Sequence, residues 1–125
     1  MRNKTDPIFE IYQMGKSQKI VRSNIVENDL NPVWDETTIN LQDVKSLDTS
    51  LKIVVSDKDG GDNQSSLGTV VTSVQKLVEA ASSNKGMALL PSKQGTLYVT
   101  KAVVTDLQDH TPKVVEFYTD TIQPL

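Results

Sequence analysis

Apolar residues recur at a spacing of two along nearly the whole chain, a period that commits it to β-strands. After a Thr5-Asp6-Pro7 turn, Ile8, Glu10 and Tyr12 alternate with Phe9, Ile11 and Gln13, giving a strand apolar on both faces that ends at Gly15. Lys19–Val26 reads as a second, with Lys19, Val21, Ser23 and Ile25 on one side and Ile20, Arg22, Asn24 and Val26 on the other. Asn28-Asp29-Leu30-Asn31-Pro32 stops it with a proline and turn formers. Glu36–Leu41, Leu51–Val55 after a polar connection, Leu67–Val71, the short run Met87–Leu90, Thr96–Val104 and Lys113–Ile122 complete the set. Only Ser73–Ala81 changes period, with apolar residues three and four apart, and predicts a short helix capped by Ser73 and ended near Gly86. Eight strands, one helix and no regular strand–helix alternation define the fold class: all-β, an eight-stranded antiparallel β-sandwich with one short helix.

Composition narrows the function. At 125 residues and 37% hydrophobic content, residues 1–125 form a single domain that buries about two-thirds of its unfolded surface. The absence of cysteine removes disulfides and thiolate metal sites, so any metal must take oxygen ligands, and it agrees with a reducing compartment. The single histidine, His110, lies between Asp109 and Thr111 in a polar stretch and reads as a solvated loop residue. Without a nucleophile–base pair or a phosphate-binding loop, the chain is not expected to be an enzyme. No apolar run approaches the roughly 20 residues of a membrane span, and Met1–Asp6 does not lead into a signal-peptide core, so a soluble, cytoplasmic protein is expected. A net charge of −3 argues against nucleic acid as partner and would repel an anionic membrane unless a bound cation reversed the sign locally.

The most acidic stretch is Ser56-Asp57-Lys58-Asp59-Gly60-Gly61-Asp62, between two apolar strands. Asp57 and Asp59 are two apart, so strand geometry continued past Ser56 would lean both side chains the same way, and Asp62 could curl back toward them. Such a flexible set of carboxylates suits calcium, which takes six to eight oxygens, better than magnesium. Asp and Gly also dominate ordinary hairpin turns, so this loop alone leaves both readings open.

Four signatures in order decide between them: Thr5-Asp6-Pro7-Ile8-Phe9-Glu10-Ile11, then Asn31-Pro32-Val33-Trp34-Asp35-Glu36, then Asp57-Lys58-Asp59, then Leu67-Gly68. Together they resemble a C2 domain over about residues 4–105, a β-sandwich with Greek-key connections. Within that family the chain is most similar to the copines, through Thr5–Tyr12 and the long Val74–Leu90 segment before Gly95-Thr96-Leu97-Tyr98-Val99. The resemblance implies a Ca2+ site at one end of the sandwich. Its ligands would be Asp6 from a first loop and Asp57, Asp59 and the Lys58 carbonyl from a later one, with Asp62 where the family has Ser, Asn or Asp. Two departures lower the expected affinity, which ligand charge tunes. Ser65 stands where the family has a further aspartate, and another aspartate would fall ahead of Met1.

The family's opening strand would also fall ahead of Met1, and Lys113–Ile122 resembles it instead. Residues 1–111 then make the main sandwich. Residues 112–125 supply a C-terminal strand that is circularly permuted, exchanged with a neighbouring chain in a homodimer, or part of a following domain, since a missing strand would expose an edge. The function implied is calcium-dependent phospholipid binding that targets a larger protein to anionic membranes, cytoplasmic and peripheral on calcium binding. The alternative is a calcium-independent module that binds other proteins. Gly60-Gly61-Asp62-Asn63-Gln64 offers no aromatic or leucine to insert, so docking should be ionic and salt-sensitive. Lys16, Lys19 and Arg22 read either as a solvated face or as a second, phosphoinositide-binding one.

Overall fold

A computed structural model describes residues 6–27, 31–40, 44, 46–58, 64–91, 95–104 and 113–119. Among them run strands β1 (Pro7–Gln13), β2 (Lys19–Arg22), β3 (Thr37–Ile39), β4 (Leu51–Lys58) and β5 (Gln64–Thr72), the helix α1 (Val74–Ser83), then β6 (Met87–Ala88), β7 (Thr96–Val103) and β8 (Lys113–Thr119). Two four-stranded sheets result, ordered β2-β1-β4-β5 and β3-β8-β7-β6. Every strand pairing is antiparallel, so the alternation read from the sequence becomes an antiparallel β-sandwich.

The faces that meet follow the alternation. Phe9, Ile11, Ile53 and Val55 of the first sheet share one buried cluster with Ile39, Leu97, Val99 and Phe117 of the second. Phe9 lies at its centre, edge-on to Trp34 at 5.0 Å and to Phe117 at 4.7 Å between ring centroids. Each such side chain, fully buried, contributes about 1.5–3 kcal/mol. Val44 is 0% exposed and Leu47 packs against the same cluster, so the connection that reads as polar in sequence also plugs the core. β8 lies inside the second sheet, with Thr37 opposite Val115 on one side and Val99 opposite Phe117 on the other.

Several boundaries differ from the sequence reading, each for a local reason. β2 stops at Arg22 rather than Val26 because Ser23 replaces the ladder: its hydroxyl accepts from the Phe9 N–H at 2.9 Å while its own N–H donates to the Phe9 carbonyl at 2.9 Å. β4 runs on to Lys58 and pairs Asp57 with Pro7. β5 starts at Gln64, with a bulge that sets Val55 opposite Gly68 and Ser56 opposite Ser66. Gly68, at φ 156°, belongs there because a Cβ would stand 2.5 Å from the Leu89 Cβ. α1 begins as expected, the Ser73 hydroxyl accepting from the Lys76 N–H at 3.2 Å. It ends at Asn84, not near Gly86, since Asn84 takes the left-handed conformation and donates its N–H to the Ala80 carbonyl. β3 is held to Thr37–Ile39 and β7 ends at Val103. The tail strand ends at Thr119 within the described residues.

Candidate metal centre

The start of β1 and the end of β4 are neighbours, and their pairing brings together residues far apart in sequence. The Asp6 N–H donates to Oδ1 of Asp57 at 3.0 Å across 51 positions. The Lys58 N–H returns a bond to the Asp6 carbonyl at 3.0 Å. Asp57 is only 7% exposed and Asp6 half-buried. Of the five residues expected at the site, three, Asp6, Asp57 and Lys58, therefore meet at one tip. Asp59 and Asp62 lie outside the described residues. Among the described residues no group of three acidic or histidine side chains forms a complete metal-binding set.

Trp34 fixes this tip from the other sheet. Its indole N–H donates to the Pro7 carbonyl at 3.1 Å, and its backbone N–H donates to the Phe117 carbonyl at 3.2 Å. The Val26 N–H reaches the same Pro7 carbonyl at 3.3 Å, and Asn24 Oδ1 accepts from the Asp35 N–H at 3.0 Å. One aromatic side chain, 2% exposed, thus ties the residue after Asp6 to the C-terminal strand. Beside the clamp, Ile25 and Val33 leave 42% and 67% of their surface exposed.

The basic residues of β2 are not a free face. A bulge between β1 and β2 sets Ile11 opposite Val21 and Tyr12 opposite Lys19, which breaks the alternation. Both cations consequently reach Glu10, Lys19 Nζ at 2.9 Å and Arg22 Nε at 3.8 Å from Oε2. Tyr12 donates its hydroxyl to Glu10 Oε1 at 3.3 Å, and Lys52 Nζ lies 5.4 Å from the Tyr12 ring centroid. Burial pushes the Glu10 carboxyl up, but the hydrogen bond and charge of Lys19, the charge of Arg22 and the Tyr12 hydroxyl outweigh it and hold the group below the ordinary value. Burial and the Glu10 charge in turn push the Tyr12 hydroxyl up. Lys16 lines a cleft of about 340 Å³ with Gln13, Gln18, Lys19 and Ile20.

Among the described residues Asp6 and Asp57 supply the carboxylate oxygens of the tip, hard donors of the kind calcium takes. A two-sheet antiparallel sandwich with acidic residues gathered at one end and an indole clamp beneath them defines a class of protein, and the C2 domain family matches residues 1–89. The chain belongs to the C2 domain family, whose members are commonly membrane- and calcium-binding modules. It is 27% identical to Protein BONZAI 2 of Arabidopsis thaliana, over 97% of this chain and 20% of that protein. It is 28% identical to Protein BONZAI 1 of the same plant, over 80% of this chain and 18% of that protein. The chain thus spans about a fifth of the length of these relatives, both of them BONZAI proteins. The solved structure of BON1-C2B superimposes with a TM-score of 0.65 at 20% identity, covering 95% of this chain and 75% of that one, a likeness of fold.

Proposed function

We propose that this C2 domain, of the copine type its motifs resemble, binds Ca2+ at its acidic tip and thereby attaches to anionic phospholipid surfaces. It would act as a cytoplasmic targeting module without enzymatic activity. The observation that carries the reading is the Asp6–Asp57 contact, which sets two loops of the motif pattern side by side at 3.0 Å. Asp6, Asp57, Asp59 and Asp62 with the Lys58 carbonyl would hold the ion. Calcium bound there supplies positive charge and coordination positions open to lipid oxygens. The protein's own part is electrostatic: a buried carboxylate at the end of β4 and its acidic neighbours form a pole that repels anionic headgroups until neutralised. Ile25 and Val33 add modest apolar contact at the same tip. Liposome sedimentation with phosphatidylserine, in calcium and in chelator, tests the reading together with a calorimetric calcium titration. Heat of binding and calcium-dependent sedimentation are expected, and sedimentation equal in chelator would overturn it.

One observation favours a second reading, a calcium-independent protein-binding module. The Asp57 carboxylate already has a structural use, as acceptor for the Asp6 amide, and Ser65 replaces a further ligand. A flat calcium titration together with an intact fold would select this reading.

A further inference from the structure

An open groove of about 530 Å³ runs between the end of β5, the C-terminal half of α1 and the start of β6, lined by Val71, Thr72, Lys76, Ala80, Lys85 and Met87 among others. It is the open part of a seam between the two sheets. At the closed end Thr69 and Leu90 exchange both backbone hydrogen bonds, at 2.9 and 3.0 Å, where Gly68 lets Leu89 approach. Backbone groups of alternate residues in an antiparallel strand point to the same edge. Val71, two residues past Thr69, therefore presents its N–H and C=O off the edge of β5. Ala88, two before Leu90, turns its own toward that edge. Among the described residues no hydrogen bond joins the two, and Val71 is 55% exposed.

The charges around the groove are uneven. Lys76 and Lys85 make no ion pair with any described residue. Glu79 is the one acidic residue lining the groove, and its Oε2 already accepts from the Gln75 side chain at 3.1 Å. We propose that this groove docks an extended, acidic peptide segment of a partner protein. The segment would pair its backbone with Val71, rest a small apolar side chain on Val71, Ala80 and Met87, and place carboxylates against Lys76 and Lys85. A lipid phosphate would satisfy the lysines but leave the strand edge unpaired, so the backbone geometry favours a peptide. The site is independent of the metal centre.

The test uses a labelled peptide alternating valine with glutamate, followed by fluorescence anisotropy and amide NMR on the full chain. Saturable binding is expected, with shifts at the Val71 and Ala88 amides and no change on calcium chelation. Lys76→Glu combined with Lys85→Glu should weaken binding by about tenfold or more. Val71→Pro removes the outward N–H at an edge position that tolerates proline and should weaken it as well. Circular dichroism checks that both variants fold. Absence of saturable binding, or affinity unchanged in both variants, overturns the proposal. So does displacement of the peptide by phosphatidylserine vesicles in chelator, which would make this a headgroup site.

Discussion

At the scale of single residues, Asp57 accepts the Asp6 amide and, on the proposed reading, also ligates calcium, and substitution separates the two uses. Asparagine keeps an oxygen for the Asp6 N–H but removes the charge, so Asp57→Asn should melt near the parent temperature while its calorimetric calcium response disappears. Alanine also removes the acceptor and leaves a part-buried amide without it, costing about 1–2 kcal/mol by urea denaturation. Equal stability of the two variants would contradict the contact. Glu10 is read through pH. Its carboxyl titrates below the ordinary glutamate value of ~4.3, so the folded state binds fewer protons than the unfolded one in that range. The stabilisation is present above the unfolded value and is lost as pH falls through the folded one. Glu10→Gln should therefore cost about 1 kcal/mol at neutral pH, a modest figure because Lys19 is 45% exposed, and the difference should shrink at acidic pH, below the ordinary glutamate value. Denaturation curves of both proteins at the two pH values check it. The meeting of Asp6 with Asp57 was legible because the motif spacing marks both. The pairing of Glu10 with Lys19 and Arg22 was not, because one extra residue in β2 brings both cations to the same side, and no period-two count contains that residue.

At the scale of elements, positions where backbones approach closely decide the layout. Gly68 sits where β5 meets Leu89, so Gly68→Ala must either shift Leu89 backbone and side chain or open the bulge. A loss of about 2 kcal/mol or more is expected, with weaker protection of the Thr69 and Leu90 amides in hydrogen exchange. Ser73→Ala removes an N-cap and should cost about 1 kcal/mol without touching the tip. Element types were legible almost throughout, since period two and the single change to helical spacing are properties of the side chains themselves. Ends were less so. Ser23 ends β2 through a hydroxyl that imitates a backbone carbonyl, and Asn84 ends α1 in a conformation that glycine more often supplies. The role of Ser23 depends on Phe9, a neighbour the sequence does not place beside it, whereas Asn84 is one of the few residues besides glycine that accept the left-handed region.

For the whole molecule, the strand that closes the sandwich comes from the far end of the chain, and the tip is hung from it. β8 pairs on both edges, contributes Phe117 at 0% exposure, and offers the Phe117 carbonyl to Trp34, whose indole holds Pro7 beside Asp6. An interior strand cannot fray away as an edge strand can: its loss exposes two rows of backbone groups and empties the aromatic cluster beneath Phe9. Removing residues 113–125 is therefore expected to abolish cooperative thermal unfolding. Adding the same segment as a separate peptide should restore both the transition and the calcium response, because the peptide can refill the slot between β3 and β7. Trp34→Phe is the milder companion: it keeps an aromatic ring in the cluster but deletes the Pro7 hydrogen bond, so it should lower calcium affinity more than it lowers the melting temperature. Scanning calorimetry of the truncated chain, with and without the peptide, decides the matter, and a truncated protein that melts cooperatively at the parent temperature would show that the tip does not depend on β8.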